Sequence, residues 1–369
     1  MNFLRPFLTT AGFFLMVALT VVLPGFASVA QGSGAEGISS YRPQLLPQKG
    51  YTETWDQHVY FDDGTFVTAR FLIVNLSKGK PRAFVISTLV TPDGHIYTVK
   101  NGRDKGGWSF DPNHFDLHIA NHRLNGDAQN YKLYLHNNTA EVLLTLASPI
   151  APWQVGRLCC GTSAKAYQDM IAYIPVAEAE GWWRPGEDGG GKGDEEPWRQ
   201  LKGGKGFATH YVNSQSVENV ARNWLHFFAF DNGQGPVPGI VSISLPEGGQ
   251  MTRLALLDHH SPGFETNAAS IETVREAKGR GNDVIPAVIG VSANENGTNI
   301  SGTITFDKEL EHISLRDKLS WVERLFAASL PSTVQYYYLV HYELKVQTGG
   351  NSRNLTGKGL VEYTTISKP

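Results

Sequence analysis

Hydrophobic and polar positions alternate over short runs along this chain, and pairs of turn-forming residues punctuate them. Asp63-Gly64 separates Thr54–Phe61 from Thr65–Val74, and Asp93-Gly94 separates Ala83–Val90 from His95–Val99. Asn232-Gly233 lies between Trp224–Phe230 and Gly239–Leu245, and Asn296-Gly297 precedes Ile300–Phe306. Such pairs supply the positive φ angles of tight hairpin turns, so each predicts two antiparallel neighbours. The clearest run, Tyr336–Val346, sets Tyr336, Tyr338, Val340, Tyr342, Leu344 and Val346 on one face at period two. Successive hairpins make a meander, and closing a meander into a barrel hides its strand edges. The pattern predicts an all-β protein of two antiparallel barrels, packed as a pair around an apolar cavity. One short helix is expected near the C-terminus. Leu319, Val322, Leu325, Phe326 and Leu330 keep a helical stripe, Ser320-Trp321-Val322-Glu323 reads as a capping box, and Pro331 ends it.

The start of the chain departs from this pattern. After Arg5 no charge occurs until Glu36, Ala11–Leu23 is an apolar h-region, and Ser28-Val29-Ala30 offers small residues to a signal peptidase. Residues 1–30 therefore read as a signal peptide, with an uncleaved membrane anchor as the alternative. The chain is expected to be exported, to the periplasm or the extracellular space. The mature part of the chain has the length of two domains at roughly 150 residues each: a first barrel over 45–183, a Gly-rich linker or lid over 184–205, and a second barrel over 206–369. The linker assignment rests on WRPGEDGGGKGDEEPWRQLKGGKG from Trp183, which lacks apolar periodicity.

Charge and motifs narrow the function classes. A net charge of −3 with 18% charged residues provides no basic field, so nucleic acid is not an expected partner. The two cysteines, Cys159 and Cys160, are adjacent, and a bridge between neighbours departs from ordinary disulfide geometry. They read as small thiols, so apolar packing must hold the fold. No phosphate loop, dinucleotide fingerprint, nucleophile elbow or His-Glu-x-x-His occurs, and no cofactor is expected. His114, His118 and His122 lie four apart in NHFDLHIANHR. On one strand they would share a face, but four strand residues span roughly 13 Å, and zinc needs ligands within about 2 Å of one ion. They read as a polar outer face and not a metal site, and His259 with His260 read as loop. Five Asn-x-Ser/Thr sequons, at Asn75, Asn137, Asn296, Asn299 and Asn354, would accept glycans only on a eukaryotic secretory route.

The order of segments resembles a tandem lipocalin-like family that includes carotenoid hydratases, AttH-like bacterial proteins, yeast survival-factor-type proteins and fungal Diels-Alderases. Glu53-Thr54-Trp55 with its following hairpin is similar to the family's opening strand. Gly206-Phe207-Ala208-Thr209-His210 resembles its Gly-x-x-x-His element, Trp224-Leu225-His226-Phe227-Phe228 its Trp-rich strand, and Gly359-Leu360-Val361-Glu362-Tyr363 its closing strand. The resemblance implies two lipocalin-like barrels and brings His210 forward as a catalytic candidate. It also marks departures. The hydratase branch has tryptophan two positions after the histidine, where this chain has Val212, and a tyrosine and an aspartate on a neighbouring strand. The comparable strand here, Gly239–Ser244, has neither. A histidine without a carboxylic partner protonates carbon poorly.

Two functions remain in view. In the first, an exported binding protein holds a lipid or isoprenoid against Trp55, His210, Trp224, Tyr336, Tyr338 and Tyr342, exchanging it at a membrane surface. Apolar burial at about 25 cal/mol per Å2 supplies affinity without a motif. In the alternative, a cofactor-independent isomerase, cyclase or hydratase acts on a polyene or isoprenoid through His210.

Overall fold

A computed structural model describes residues 41–367 apart from 76–80, 104–105, 112, 128–129, 160–165, 232, 234, 260–261, 282 and 315–331. The signal-peptide segment, the 319–330 helix, Cys160 and His260 lie outside the described residues, as does the side chain of Cys159.

The fold is all-β. The first sheet comprises β1 (Thr52–Tyr60), β2 (Phe66–Val74), β3 (Arg82–Val90), β4 (Ile96–Arg103), β5 (Trp108–Phe110), β6 (Phe115–Ile119), β7 (His122–Gly126), β8 (Asn130–His136), β9 (Ala140–Ala147), β10 (Trp153–Cys159), β11 (Tyr167–Pro185) and β12 (Arg199–Asn213). A single helical turn, α1 (Val217–Val220), leads into the second sheet. That sheet comprises β13 (Asn223–Ala229), β14 (Val237–Ser244), β15 (Gln250–Leu257), β16 (Pro262–Thr266), β17 (Ala269–Lys278), β18 (Val284–Glu295), β19 (Thr298–Ser314), β20 (Ser332–Thr348) and β21 (Asn351–Ser367). Every pairing among the described residues is antiparallel. The ladders run β4-β3-β2-β1-β12-β11-β9-β8-β7-β6-β5 and β16-β15-β14-β13-β21-β20-β19-β18-β17, with β10 beside β11. Each sheet curls into a half-barrel, and β4 comes against β6 and β9 across the first interior.

The turn pairs sit where the pattern placed them. Gly64, Gly94, Gly233 and Gly297 all have positive φ, between β1 and β2, β3 and β4, β13 and β14, and β18 and β19. One expected strand is instead a hairpin. The run from His114 to His122 turns at Ala120 (φ 53), which leaves His114 in a loop, His118 on β6 and His122 on β7. His118 pairs with Asp116, whereas His122 is fully buried and its Nδ1 accepts the His136 amide. Asn75 is also buried, with its amide donating to the Pro47 carbonyl.

The Gly-rich stretch connects two strands of the first sheet and not one sheet to the other. β11 continues to Pro185, the loop after it docks on the β8–β9 turn through Gly186 and Asp188 amides, and Arg184 pairs with Glu141 and Asp194. β12 then returns between β1 and β11, so residues 206–213 complete the first sheet and not the second, and the change of sheet falls between Asn213 and Asn223. The glycines that resemble a linker allow close approach: a Cβ on Gly206 would lie 1.8 Å from the His58 carbonyl oxygen. Gly206→Ala is therefore expected to lower the unfolding free energy by about 1–3 kcal/mol. An unchanged denaturation midpoint would contradict that reading of the strand.

Two cores result. Trp55, Val59, Phe71, Phe115, Leu133, Tyr173 and Val212 belong to one that fills the first half-barrel. The other fills the second half-barrel and crosses to the first sheet, so that Phe66, Met170, Phe207 and Tyr211 pack with Trp224, Phe228 and Tyr337. β1 is consequently buried on both faces. Glu53, Trp55, Gln57 and Val59 share one, Thr54, Asp56 and His58 the other, and all seven are at most 2% exposed.

Candidate functional site

The two faces of β1 carry two polar centres. On the barrel face, register sets Trp55 opposite His210 of β12. Their rings stack at 4.6 Å and 6°, and His210 Nε2 lies 2.8 Å from Glu53 Oε1. Both partners are fully buried. The carboxylate accepts further hydrogen bonds from the Tyr51 hydroxyl and from the amides of Gln44 (2.9 Å) and Leu45 (3.2 Å). Burial first, and Glu53 second, hold the Tyr51 phenol far above its ordinary range, so it remains a neutral donor. Glu53 is thereby fixed in place and His210 is oriented by it, the arrangement in which a carboxylate offsets charge developing on an imidazole during proton transfer.

This corrects one expectation from the sequence. His210 does not lack an acidic partner; the partner comes from β1 and not from Gly239–Ser244 (β14), which lies in the other sheet. Glu53 is 157 residues away in sequence, a distance at which no local spacing can announce the contact. The available signal was the placing of Glu53 two positions before Trp55, on the same face of the opening strand.

On the junction face, Glu362 of β21 is fully buried. Its Oε1 accepts from Gln335 Nε2 (3.0 Å), Trp224 Nε1 (3.2 Å), Thr364 Oγ1 (3.2 Å) and Arg70 Nη2 (3.3 Å). Its Oε2 faces His226 Nδ1 at 3.1 Å and His58 Nε2 at 3.6 Å. Arg70 also forks onto Asp56, with Nε 2.6 Å from Oδ1 and Nη2 on Oδ2, and Tyr211 donates to Asp56 at 3.2 Å. Although burial opposes ionisation, the His226 hydrogen bond, the nearby His58 imidazole and the Arg70 charge hold Glu362 well below the ordinary carboxylate range. A carboxylate kept ionised in this way cannot serve as a general acid. Among the described residues, Asp56, His58 and Glu362 form the one cluster with metal-ligand geometry, their ligand atoms within 4.8 Å of one another. Arg70 already lies on both carboxylates, so a guanidinium takes the place that a cation would. The centre ties sheet to sheet.

The six residues singled out from sequence therefore fall in three places. Trp55 and His210 meet in the first half-barrel. Trp224 sits in the junction, donating to Glu362. Tyr336, Tyr338 and Tyr342 line the second core, where Tyr336 donates to Asp283 and Tyr338 to Glu309, both at 2.7 Å, and Tyr342 packs edge-on to Phe227. Burial, then the Asp283 hydrogen bond, pushes the Tyr336 phenol up to about 12. A concavity of about 390 Å3 lies elsewhere, lined by Tyr134, Leu143 and Trp182 on the outer face of the first sheet, and holds none of the six.

A scan against protein-family models finds no match, and no curated protein sequence matches. Solved structures do. CghA with Sch210972 superposes with a TM-score of 0.55 at 14% identity, covering 90% of this chain and 96% of that one. A putative AttH from Nitrosomonas europaea gives 0.55 at 14%, covering 90% and 100%. Kievitone hydratase from Nectria haematococca gives 0.54 at 10%, covering 90% and 93%. This chain thus has the tandem-barrel fold of the AttH-like and hydratase structures, over almost the whole length of each.

Proposed function

We propose that the protein is a cofactor-independent enzyme that moves a proton on an unsaturated apolar substrate, in a hydration, isomerisation or cyclisation, with His210 as acid–base group and Glu53 as its orienting partner. The observation that carries this is the 2.8 Å contact between two fully buried groups, His210 and Glu53, with Trp55 stacked on the imidazole. Uptake of an apolar guest calls for apolar area and a few fixed polar groups, and a buried carboxylate–imidazole pair goes beyond that requirement. The fold shared with a kievitone hydratase supports the same reading. Trp55, stacked on the imidazole, belongs to the same buried apolar cluster as Phe115, Tyr131 and Tyr173, and in such a surround charge and dipoles act more strongly than in water. Export through the N-terminal segment belongs to the proposal.

The test is to incubate the purified protein with polyenes and prenylated aromatics and identify products by mass. The proposal expects a hydrated or isomeric product. A guest that is carried through purification and returned chemically unchanged, with no conversion of any substrate, would instead support a carrier.

A further inference from the structure

The first half-barrel already contains an aromatic guest, and it is the chain itself. The Tyr41 ring stands 5.3 Å from Phe115, 5.7 Å from Tyr131 and 6.1 Å from Tyr173. Its carbonyl accepts Trp55 Nε1 at 2.6 Å, and the next residues give the Gln44 and Leu45 amides to Glu53. Leu45 holds a positive φ of 53 to do so, a conformation disfavoured for a side chain of its kind. The box around the ring is not fully satisfied. The Tyr131 hydroxyl and Gln57 Oε1, in residues at most 1% exposed, make no hydrogen bond among the described residues, while Gln57 Nε2 donates to the Tyr173 hydroxyl. Buried polar atoms without partners are uncommon and point to a missing one.

We infer that the segment Tyr41–Leu46 is an internal occupant of a binding site for a small aromatic ligand with hydrogen-bond donors, a phenol or aryl amide, which displaces it. The ring of the ligand takes the place of Tyr41 among Phe115, Tyr131 and Tyr173. Its donors replace the Gln44 and Leu45 amides on Glu53, since a ligand without them would leave a buried carboxylate underserved. A polar substituent on the ring meets Tyr131 and Gln57. This gives the unsaturated substrate of the site proposed above a phenol or aryl-amide head group and rests on that reading only for its link to turnover; the binding itself does not depend on His210 being reactive.

N-acetyl-tyrosinamide carries the ring and donors of the segment and serves as probe, with N-acetyl-leucinamide as the control without a ring. Competition from the segment lowers apparent affinity in proportion to the open fraction, so Tyr41→Ala in the full chain is expected to bind the probe at least about tenfold more tightly than the native protein by calorimetry. In the native protein, saturating probe is expected to speed hydrogen exchange at the Gln44 and Leu45 amides, and the leucine control to leave it unchanged. This second measurement decides the matter if Tyr41→Ala does not fold. Equal affinities in folded native and variant proteins, or amides whose exchange is unchanged or slowed by the probe, would overturn the inference. Probe binding with displaced amides, together with undiminished turnover in His210→Asn, would leave the site standing and remove the acid–base proposal.

Discussion

Replacing Glu362 by alanine is expected to lower the unfolding free energy by about 3–5 kcal/mol, the range for removing one partner from a buried charge network. The variant leaves Arg70 with Asp56 alone and strips Gln335, Trp224, Thr364 and His226 of their shared acceptor. Because those donors come from β13, β20 and β21 and Arg70 from β2, both sheets lose their tie at once. The pH dependence follows from the depressed pKa. In the unfolded chain the carboxyl titrates near 4.5 and in the fold well below that, so its stabilisation is complete above 4.5 and drains away as pH falls towards the folded value. Glu362→Gln keeps the shape and removes the titration. Denaturant unfolding between about pH 3 and pH 7 should therefore show a steeper loss on acidification for the native protein than for Glu362→Gln. Parallel pH curves, or a Glu362→Ala variant within about 0.5 kcal/mol of native, would show that the junction is held by its apolar contacts instead.

The second large effect concerns the acid–base pair. Glu53→Gln and His210→Asn are each expected to reduce kcat/KM by about 10²–10⁴-fold, the range for losing a positioned acid–base group. The double variant should be little worse than the poorer single, because residues that act as one unit lose their function together. Circular dichroism and denaturation midpoints separate this from a folding defect. Losses that multiply, or single variants within a few-fold of native, would mean that the two groups do not act in concert.

Much of the architecture is legible in the residues because hairpins are local. Asp63-Gly64 and Asp93-Gly94 need only their own φ angles to turn the chain, and Tyr336–Val346 faces one core at period two for its whole length. β1 is less legible, since burial on both faces removes the polar side of the alternation and leaves Glu53, Asp56 and His58 looking like the solvent-facing positions they are not. The Gly-rich segment misleads for a related reason: Gly206 is there to let β12 pass the His58 carbonyl, a contact between strands distant in sequence. The site divides in the same way. His210 and Trp55 are visible individually, but their meeting depends on the β1–β12 register, and Glu362 becomes the junction anion only once β13, β20 and β21 lie side by side against Arg70. The His114–His122 run fails more simply, because the turn at Ala120 carries no glycine and is invisible to composition.

Whether a proton passes through His210 can be read from solvent isotope incorporation. Turnover of an identified unsaturated substrate in heavy water should place deuterium on a product carbon with the native protein, and His210→Asn should lose that product at the same rate as it loses turnover. Product formed at an undiminished rate by His210→Asn, with the same deuterium content as that of the native protein, would remove His210 from the chemistry.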